Sequence, residues 1–364
     1  MTHLNVVCQR LYNQHIAGTG FEKPGEVVKW LGAVQAQDYL GSLWAIALRM
    51  RNATEQAVEQ AVADRTIVRT WPMRGTLHWV SATDVRWMLE LLTPRVIASN
   101  ARRLQQQFDL DEAVFARSRQ VFERALQGGR QLTRNAMYQT LEAAYISTAG
   151  GRGLQIVWRL AQEGVICFGA REGKQPTFVL LDEWAPHAKS MERDQALAEL
   201  TRGYFTSHSP ATVQDFAWWS GLTTTDAQAG LEMVKSHLAQ EVWGGQTYWF
   251  SLSMPTAQEA SPTAHLLPAY DEYTVAYKDR SAVLDPTYAQ RADSGYGISP
   301  TMVLDGQIVG TWKRTLKKGS VAITLNPFTR LTKARERAFA VAARQYGVFL
   351  GLPAQWPAAS GRAK

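Results

Sequence analysis

The sequence is short of cysteine. Only Cys8 and Cys167 occur in 364 residues, far apart and outside any CxxC pair. That excludes a disulfide-stapled secreted scaffold and fits a reducing cytosol. Long apolar runs are missing too. None reaches the roughly eighteen residues that a spanning helix needs, so no membrane partner is expected. The first residues, M-T-H-L-N-V-V-C-Q-R, lack a signal-peptide pattern. Neither GxGxxG nor a GxxxxGK loop ending in Ser or Thr occurs, and Gly150–Gly153 lacks the third glycine and a preceding strand. There is no GxSxG elbow. The seven histidines show neither HExxH nor a zinc spacing. No metal or nucleotide cofactor is expected from such motifs.

What is present describes a soluble globular chain, 46% hydrophobic and 20% charged. At this length about two to four domains are expected. The 13 tryptophans are too many for one site, so most serve as packing. The net charge of +7 is unevenly spread. Residues 1–260 carry 25 charges of each sign, whereas 261–364 carry 14 basic against 7 acidic. A localised basic surplus points to a polyanion partner, or to a solvated face.

The chain repeats one grammar three times: helices, then a two-stranded hairpin. The first copy spans 1–82. Its helices read V-V-C-Q-R-L-Y, E-V-V-K-W-L-G-A-V, S-L-W-A-I-A-L-R-M and T-E-Q-A-V-E-Q-A-V-A, the last opened by Thr54 with capping-box spacing. Its hairpin reads T-I-V-R-T-W and T-L-H-W-V, with Pro72 and Gly75 as turn residues. Residues 83–110 form a helical connector, where Thr83 caps one helix and Pro94 begins another. The second copy, 111–184, stops at Gly128–Gly129, breaks at Gly150–Gly151, and turns its hairpin at Glu172–Gly173. The third, 190–253, is the clearest. Pro210 starts a helix, Gly221 turns the chain, a stretch over Thr223–Thr225 caps the next helix, and Gly244–Gly245 turns the hairpin. Helix-turn-helix plus hairpin is a winged helix, so three in tandem are expected. A linker over Ser253–Pro262 follows. Segment 262–356 reads as a small β-rich domain with a C-terminal helix, and a frayed tail follows Pro357. The fold class is α+β.

One stretch organises the functional reading: V-Q-A-Q-D-Y, residues 34–39. Residues two apart on a helix point roughly 200° apart, whereas in extended chain they share a side. For Gln35 and Gln37 to act together, the preceding helix must end near Val34. Gly41 and Ser42 then separate two helices, with Ser42 as N-cap. Two amides there hold a water or read a base edge, or else bond loose backbone ends.

Arg69, Arg74 and His78 lie among Trp71 and Trp79 in the first hairpin. Such a group binds phosphates and stacks bases, or is a cross-strand cluster with Arg over Trp. Asp271 and Glu272 would face opposite ways in a strand and make a poor acid–base pair; a capping or salt-bridging turn is the simpler reading. Lys313, Arg314, Lys317 and Lys318 sit near one hairpin tip, with no acid between them. Edge lysines guard against aggregation, but four cations in the basic third point to phosphate contact.

Q-A-Q-D, W-P-M-R-G-T-L-H-W-V, L-L-P-A-Y-D-E-Y and V-G-T-W-K-R, in this order, resemble the AlkZ-like bacterial DNA glycosylases, also filed as winged-helix DNA-binding-domain proteins. The resemblance covers nearly the whole chain. It implies three winged helices around a DNA-sized channel and a barrel-like β region. It implies excision of N7-alkylated purines from double-stranded DNA, and in some members unhooking of interstrand crosslinks. The family's catalytic pattern is Gln, an apolar residue, Gln, which Gln35, Ala36 and Gln37 match. A sister group resembling YcaQ has Asp in the last place; this chain has Gln. Asp38 and Asp271 are further candidates, in a supporting role. No catalytic lysine motif is evident, so a monofunctional glycosylase is expected, as a monomer in the cytoplasm beside the nucleoid. Two rival readings are a non-catalytic winged-helix regulator and an enzyme using Asp271 and Glu272 on a small molecule.

Overall fold

The structure is a computed structural model that describes residues 6–18, 20–253, 263–293 and 299–356. The linker expected beyond Ser253 and the tail after Pro357 lie outside the described residues. The chain divides into two compact units. One holds Met1–Val58, Thr201–Trp219 and Thr223–Lys364; the other holds Glu59–Leu200 and Ser220–Leu222. Among the described residues, no helix is long and apolar enough to cross a membrane.

The unit of Glu59–Leu200 is built around a sheet. Within it the strands run Thr76–Ser81, Ile67–Met73, Ile166–Phe168, Thr177–Leu180 and Leu132–Thr133. The first hairpin closes through Arg74 and Gly75, with φ of 53° and 71°, between the paired Met73 and Thr76. A two-residue turn needs positive φ at both centres to match strand twist. A Cβ on Gly75 would also lie 3.1 Å from the Trp158 ring. Pro72 is therefore not in the turn as expected. It sits inside the strand, where the register shifts between Thr70 and Met73 and a missing N–H is tolerated. The long helix Val85–Phe108 also departs from expectation, because it runs straight through Pro94. Thr93 is buried there, its hydroxyl 2.8 Å from the Leu89 carbonyl and 2.9 Å from that of Gln162, which holds the helix across the proline. Its N-cap is Asp84, not Thr83, whose hydroxyl turns to the Asp84 carboxylate. Helices Glu112–Leu126, Arg134–Ala143 and Arg152–Gln162 pack Phe122, Leu141 and Ile156 with Trp71, Phe168 and Phe178 in one apolar core.

The other unit contains helices Val6–Asn13, Pro24–Leu31 and Tyr39–Ala47, the end of helix Arg193–Ser207, helix Thr224–Val234 and hairpin Leu238–Trp243 with Gln246–Ser251. Helix Val213–Ser220 starts three residues after Pro210, not at it. A reciprocal cap sets that start: Thr212 N–H donates to Asp215 Oδ2 (2.9 Å) and Asp215 N–H to Thr212 Oγ1 (3.1 Å). Thr223 caps the next helix by accepting from Asp226 N–H, as expected. A five-stranded sheet follows, in the order Ala354–Gln355, Ser320–Pro327, Gln307–Lys317, Thr301–Leu304, Ala264–Leu267. The closing helix Lys333–Leu350 buries Phe339, Tyr346 and Phe349. Two tryptophans anchor this region. Trp44 Nε1 donates to the Leu266 carbonyl and Trp312 Nε1 to that of Leu267, and both rings meet Tyr346 edge-on.

Candidate active site

Gly32, with φ of 75°, ends the Pro24–Leu31 helix, and the chain passes into strand Ala33–Gln35. The glutamine segment thus follows a helix end, as expected, but only Gln35 is in the strand, and Gln37 lies in a bend before the next helix. The two residues differ in environment: Gln35 is 9% exposed, whereas Gln37 is exposed. The next helix begins at Tyr39 with Asp38 at its N-cap position. Ser42 is consequently inside the helix and not its cap; its N–H bonds the Asp38 carbonyl and its hydroxyl the Tyr39 carbonyl. Gly41 does not separate helices either. It makes room for Asp38, because a Cβ there would lie 2.5 Å from Asp38 Oδ2 and 3.3 Å from Pro268.

Two contacts tie this segment to the C-terminal third. Arg314 Nη2 lies 3.3 Å from Asp38 Oδ2. Gln35 N–H donates to Glu272 Oε1 at 3.1 Å. Glu272 Oε2 in turn accepts from Trp219 Nε1 at 2.8 Å and lies 3.5 Å from His208 Nε2. Glu272 is fully buried, as is Asp271 beside it. The two start a short helix, Glu272–Val275, so they do not alternate as strand residues would. Asp271 caps that helix through Tyr273 N–H and clamps the buried Arg49 with both oxygens at 2.9 Å. The capping and salt-bridging reading of Asp271 is therefore what the structure contains. Arg49 also donates to the Ala45 carbonyl and to Gln14 Oε1.

Burial lowers the pKa of His208, and Glu272 opposes that by favouring the charged ring. Burial raises Tyr204 and Tyr277, which stay phenols. Among the described residues, no group of three or more His, Cys, Asp or Glu is arranged to hold a metal.

The cations divide. Lys313, Lys317 and Lys318 are exposed, with Lys317 opposite Ser320 beside the turn. Arg314, opposite Ile323, is not at the tip, and Asp38 is the acid that the local sequence around it lacked. Arg69, Arg74 and His78 belong to the other unit. Arg69 is buried with its guanidinium 4.8 Å from the Phe168 ring centre and 6.0 Å from that of Trp79. The packing alternative thus describes Arg69. His78 is fully buried, its Nδ1 3.0 Å from the Thr76 carbonyl and its Nε2 3.3 Å from Arg74 Nη2. Nδ1 then carries the hydrogen and Nε2 accepts from Arg74.

Sequence reasoning missed Glu272 as a partner of the glutamine segment, and His208 and Trp219 entirely. Only the adjacency of Glu272 to Asp271 could have flagged it.

A family model described as DNA glycosylase AlkZ-like matches residues 28–349. The chain is 28% identical over 371 aligned residues to an interstrand DNA cross-link repair glycosylase of Streptomyces sahachiroi, covering 94% of this chain and 96% of that protein. Its fold matches the solved Streptomyces sahachiroi DNA glycosylase AlkZ with a TM-score of 0.80, at 22% identity, covering 97% of this chain and 98% of that one.

Proposed function

The chain belongs to the AlkZ-like DNA glycosylase family, and on that premise we propose that it hydrolyses the N-glycosidic bond of N7-alkylated purines in double-stranded DNA. Gln35 and Gln37 position the attacking water. The observation that carries this reading is the Gln-Ala-Gln segment itself: a strand end and a bend between two helices, with Gln35 buried and its backbone N–H held by Glu272, and Gln37 exposed.

The chemistry suits two amides. An N7-alkylguanine is already cationic and leaves without protonation. The barrier then lies in forming an oxocarbenium-like sugar and capturing it with water. A glutamine carbonyl orients that water and stabilises the developing positive charge without acting as a base. The product is an abasic site and free base, the outcome of a monofunctional enzyme. Lys313, Lys317 and Lys318 supply phosphate contacts beside the site, and the Arg314–Asp38 pair keeps their strand against the glutamine segment. Arg74, at the turn of the first hairpin, is a further candidate contact. The three helix-plus-hairpin segments, 1–82, 111–184 and 190–253, are read as winged helices. The similarity to an interstrand cross-link repair glycosylase supports including crosslinked DNA among the substrates to test.

The test is incubation with a duplex containing one N7-methylguanine, then alkaline cleavage of abasic sites. Strand cleavage only after alkali is expected. Binding without base release would instead identify a non-catalytic DNA-binding protein.

A further inference from the structure

We propose that Glu272 is a positioning residue for the glutamine segment, acting through the Gln35 backbone and held in place by Trp219 and His208. The inference rests on the role given to Gln35 and Gln37 above.

The strand Ala33–Gln35 is only three residues long. So short an element does not fix its own exit direction, and the residues that follow it, Ala36 and Gln37, belong to no helix or strand. A charged acceptor on the last strand N–H is a strong restraint at this point, since hydrogen bonds to ionised groups are roughly twice as strong as neutral ones. Glu272 Oε1 provides it at 3.1 Å. The carboxylate cannot swing away, because its other oxygen is fixed by Trp219 Nε1 at 2.8 Å. The Trp219 ring in turn fits against Gly32, where a Cβ would stand 3.4 Å from it. The residue that ends the preceding helix and the residue that ends the strand are thus held by one indole–carboxylate unit.

His208 completes the support. Its ring stacks on Tyr204 with an interplanar angle of 9°, and its Nδ1 is 2.8 Å from Ser207 Oγ. Ser207 Oγ also bonds the Gly203 carbonyl, and His208 Nε2 faces Glu272 Oε2 at 3.5 Å. The nearby charged and phenolic groups are engaged elsewhere. Arg49 is clamped by Asp271, Arg10 lies 3.8 Å from Asp215, and Tyr277 donates its hydroxyl hydrogen to the His208 carbonyl.

Glu272 is fully buried, so it acts on the reaction only through the residues it holds, Gln35 among them. An amide in its place keeps the shape but has one accepting oxygen for two donors, Gln35 N–H and Trp219 Nε1–H. One of them must then face an NH2 group.

The experiment is single-turnover base release at saturating enzyme, with DNA affinity and thermal melting measured on the same samples. Glu272→Gln is expected to slow release by about 10- to 100-fold, the cost of a small misplacement of reacting groups, with DNA affinity unchanged. In a Gln35→Ala/Gln37→Ala chain the same change should cost nothing further, because nothing remains to be positioned. Release at the wild-type rate by Glu272→Gln, while the double glutamine variant is slow, overturns the inference alone. A loss that persists undiminished in the double background also overturns it. Wild-type release by the double glutamine variant sinks the functional reading and this inference together. If Glu272→Gln does not fold, Trp219→Phe removes the second anchor and keeps the ring; slowed release with retained affinity is expected, and an unchanged rate overturns the proposal.

Discussion

Arg314 and Asp38 are 276 positions apart in the chain and 3.3 Å apart in space. Neither is fully exposed, at 22% and 34% for their side chains. The pair fastens the basic hairpin to the residue that follows the second glutamine. It also removes Arg314 from the set of cations open to DNA, which leaves three lysines on that hairpin.

Replacing Lys313, Lys317 and Lys318 with Ala should weaken duplex binding. The dependence of log affinity on log salt should flatten by about 0.9 for each lysine that touches a phosphate. Titration at several salt concentrations measures this, and an unaltered slope would remove the hairpin from the interface.

Gln35→Ala and Gln37→Ala should each slow base release by roughly 10²-fold or less, because the cationic leaving group already lowers the barrier. Duplex affinity should barely move, since neither amide neutralises phosphate. Gln37→Asp should retain part of the activity on N7-methylguanine. Two alanine variants that both release base at the wild-type rate would place the chemistry elsewhere, with Asp38 next in line.

Arg49→Met should destabilise the fold by about 3–5 kcal/mol, because it strands the Asp271 carboxylate in a fully buried position. Urea unfolding is the measurement. A loss below 1 kcal/mol or so would mean that water reaches Asp271.

Gly41→Ala places a methyl 2.5 Å from Asp38 Oδ2, so the carboxylate must move. The expected cost is about 1–3 kcal/mol in a thermal melt, as for other overpacked sites. An unchanged melting temperature would show that Asp38 moves freely.

Stability should fall as the solution is acidified below neutrality. Burial lowers the pKa of His208, and takes that of His265 from the ordinary 6.5 to about 4. The unfolded chain takes up these protons first, so stability is full above about pH 6.5 and declines toward pH 4. His265→Gln should remove a share of that decline, on the order of 2 kcal/mol. A decline of the same size in the variant would assign the effect to other groups.

Some features were legible because a local rule decided them. Gly244–Gly245 is a hairpin turn at positive φ, and Thr223 caps its helix with its own side chain. Pro94 and Ser42 misled because a breaker or capping residue is only a local preference, overridden when the flanking apolar residues bury on one continuous helix. Pro210 misled because the Thr212–Asp215 cap starts that helix instead. Glu272 was illegible for a different reason. Its partners are 237 and 53 positions away, and no spacing rule connects residues that meet only in the folded chain. Arg69 shows the converse: an Arg among tryptophans reads alike whether it faces DNA or, as here, rings of its own sheet.

Arg49 leaves the ribosome 222 residues ahead of the carboxylate that neutralises it. At synthesis rates of roughly 5–20 residues per second, that interval is on the order of 10–45 s. The first 58 residues cannot complete their core in that time, because burying Arg49 alone would strand its charge. Most of the second unit, Glu59–Leu200, is one uninterrupted stretch that emerges meanwhile. The order of birth and the order of folding therefore differ: the segment carrying the glutamines is made early and finished late, only once the final third of the polypeptide has been translated.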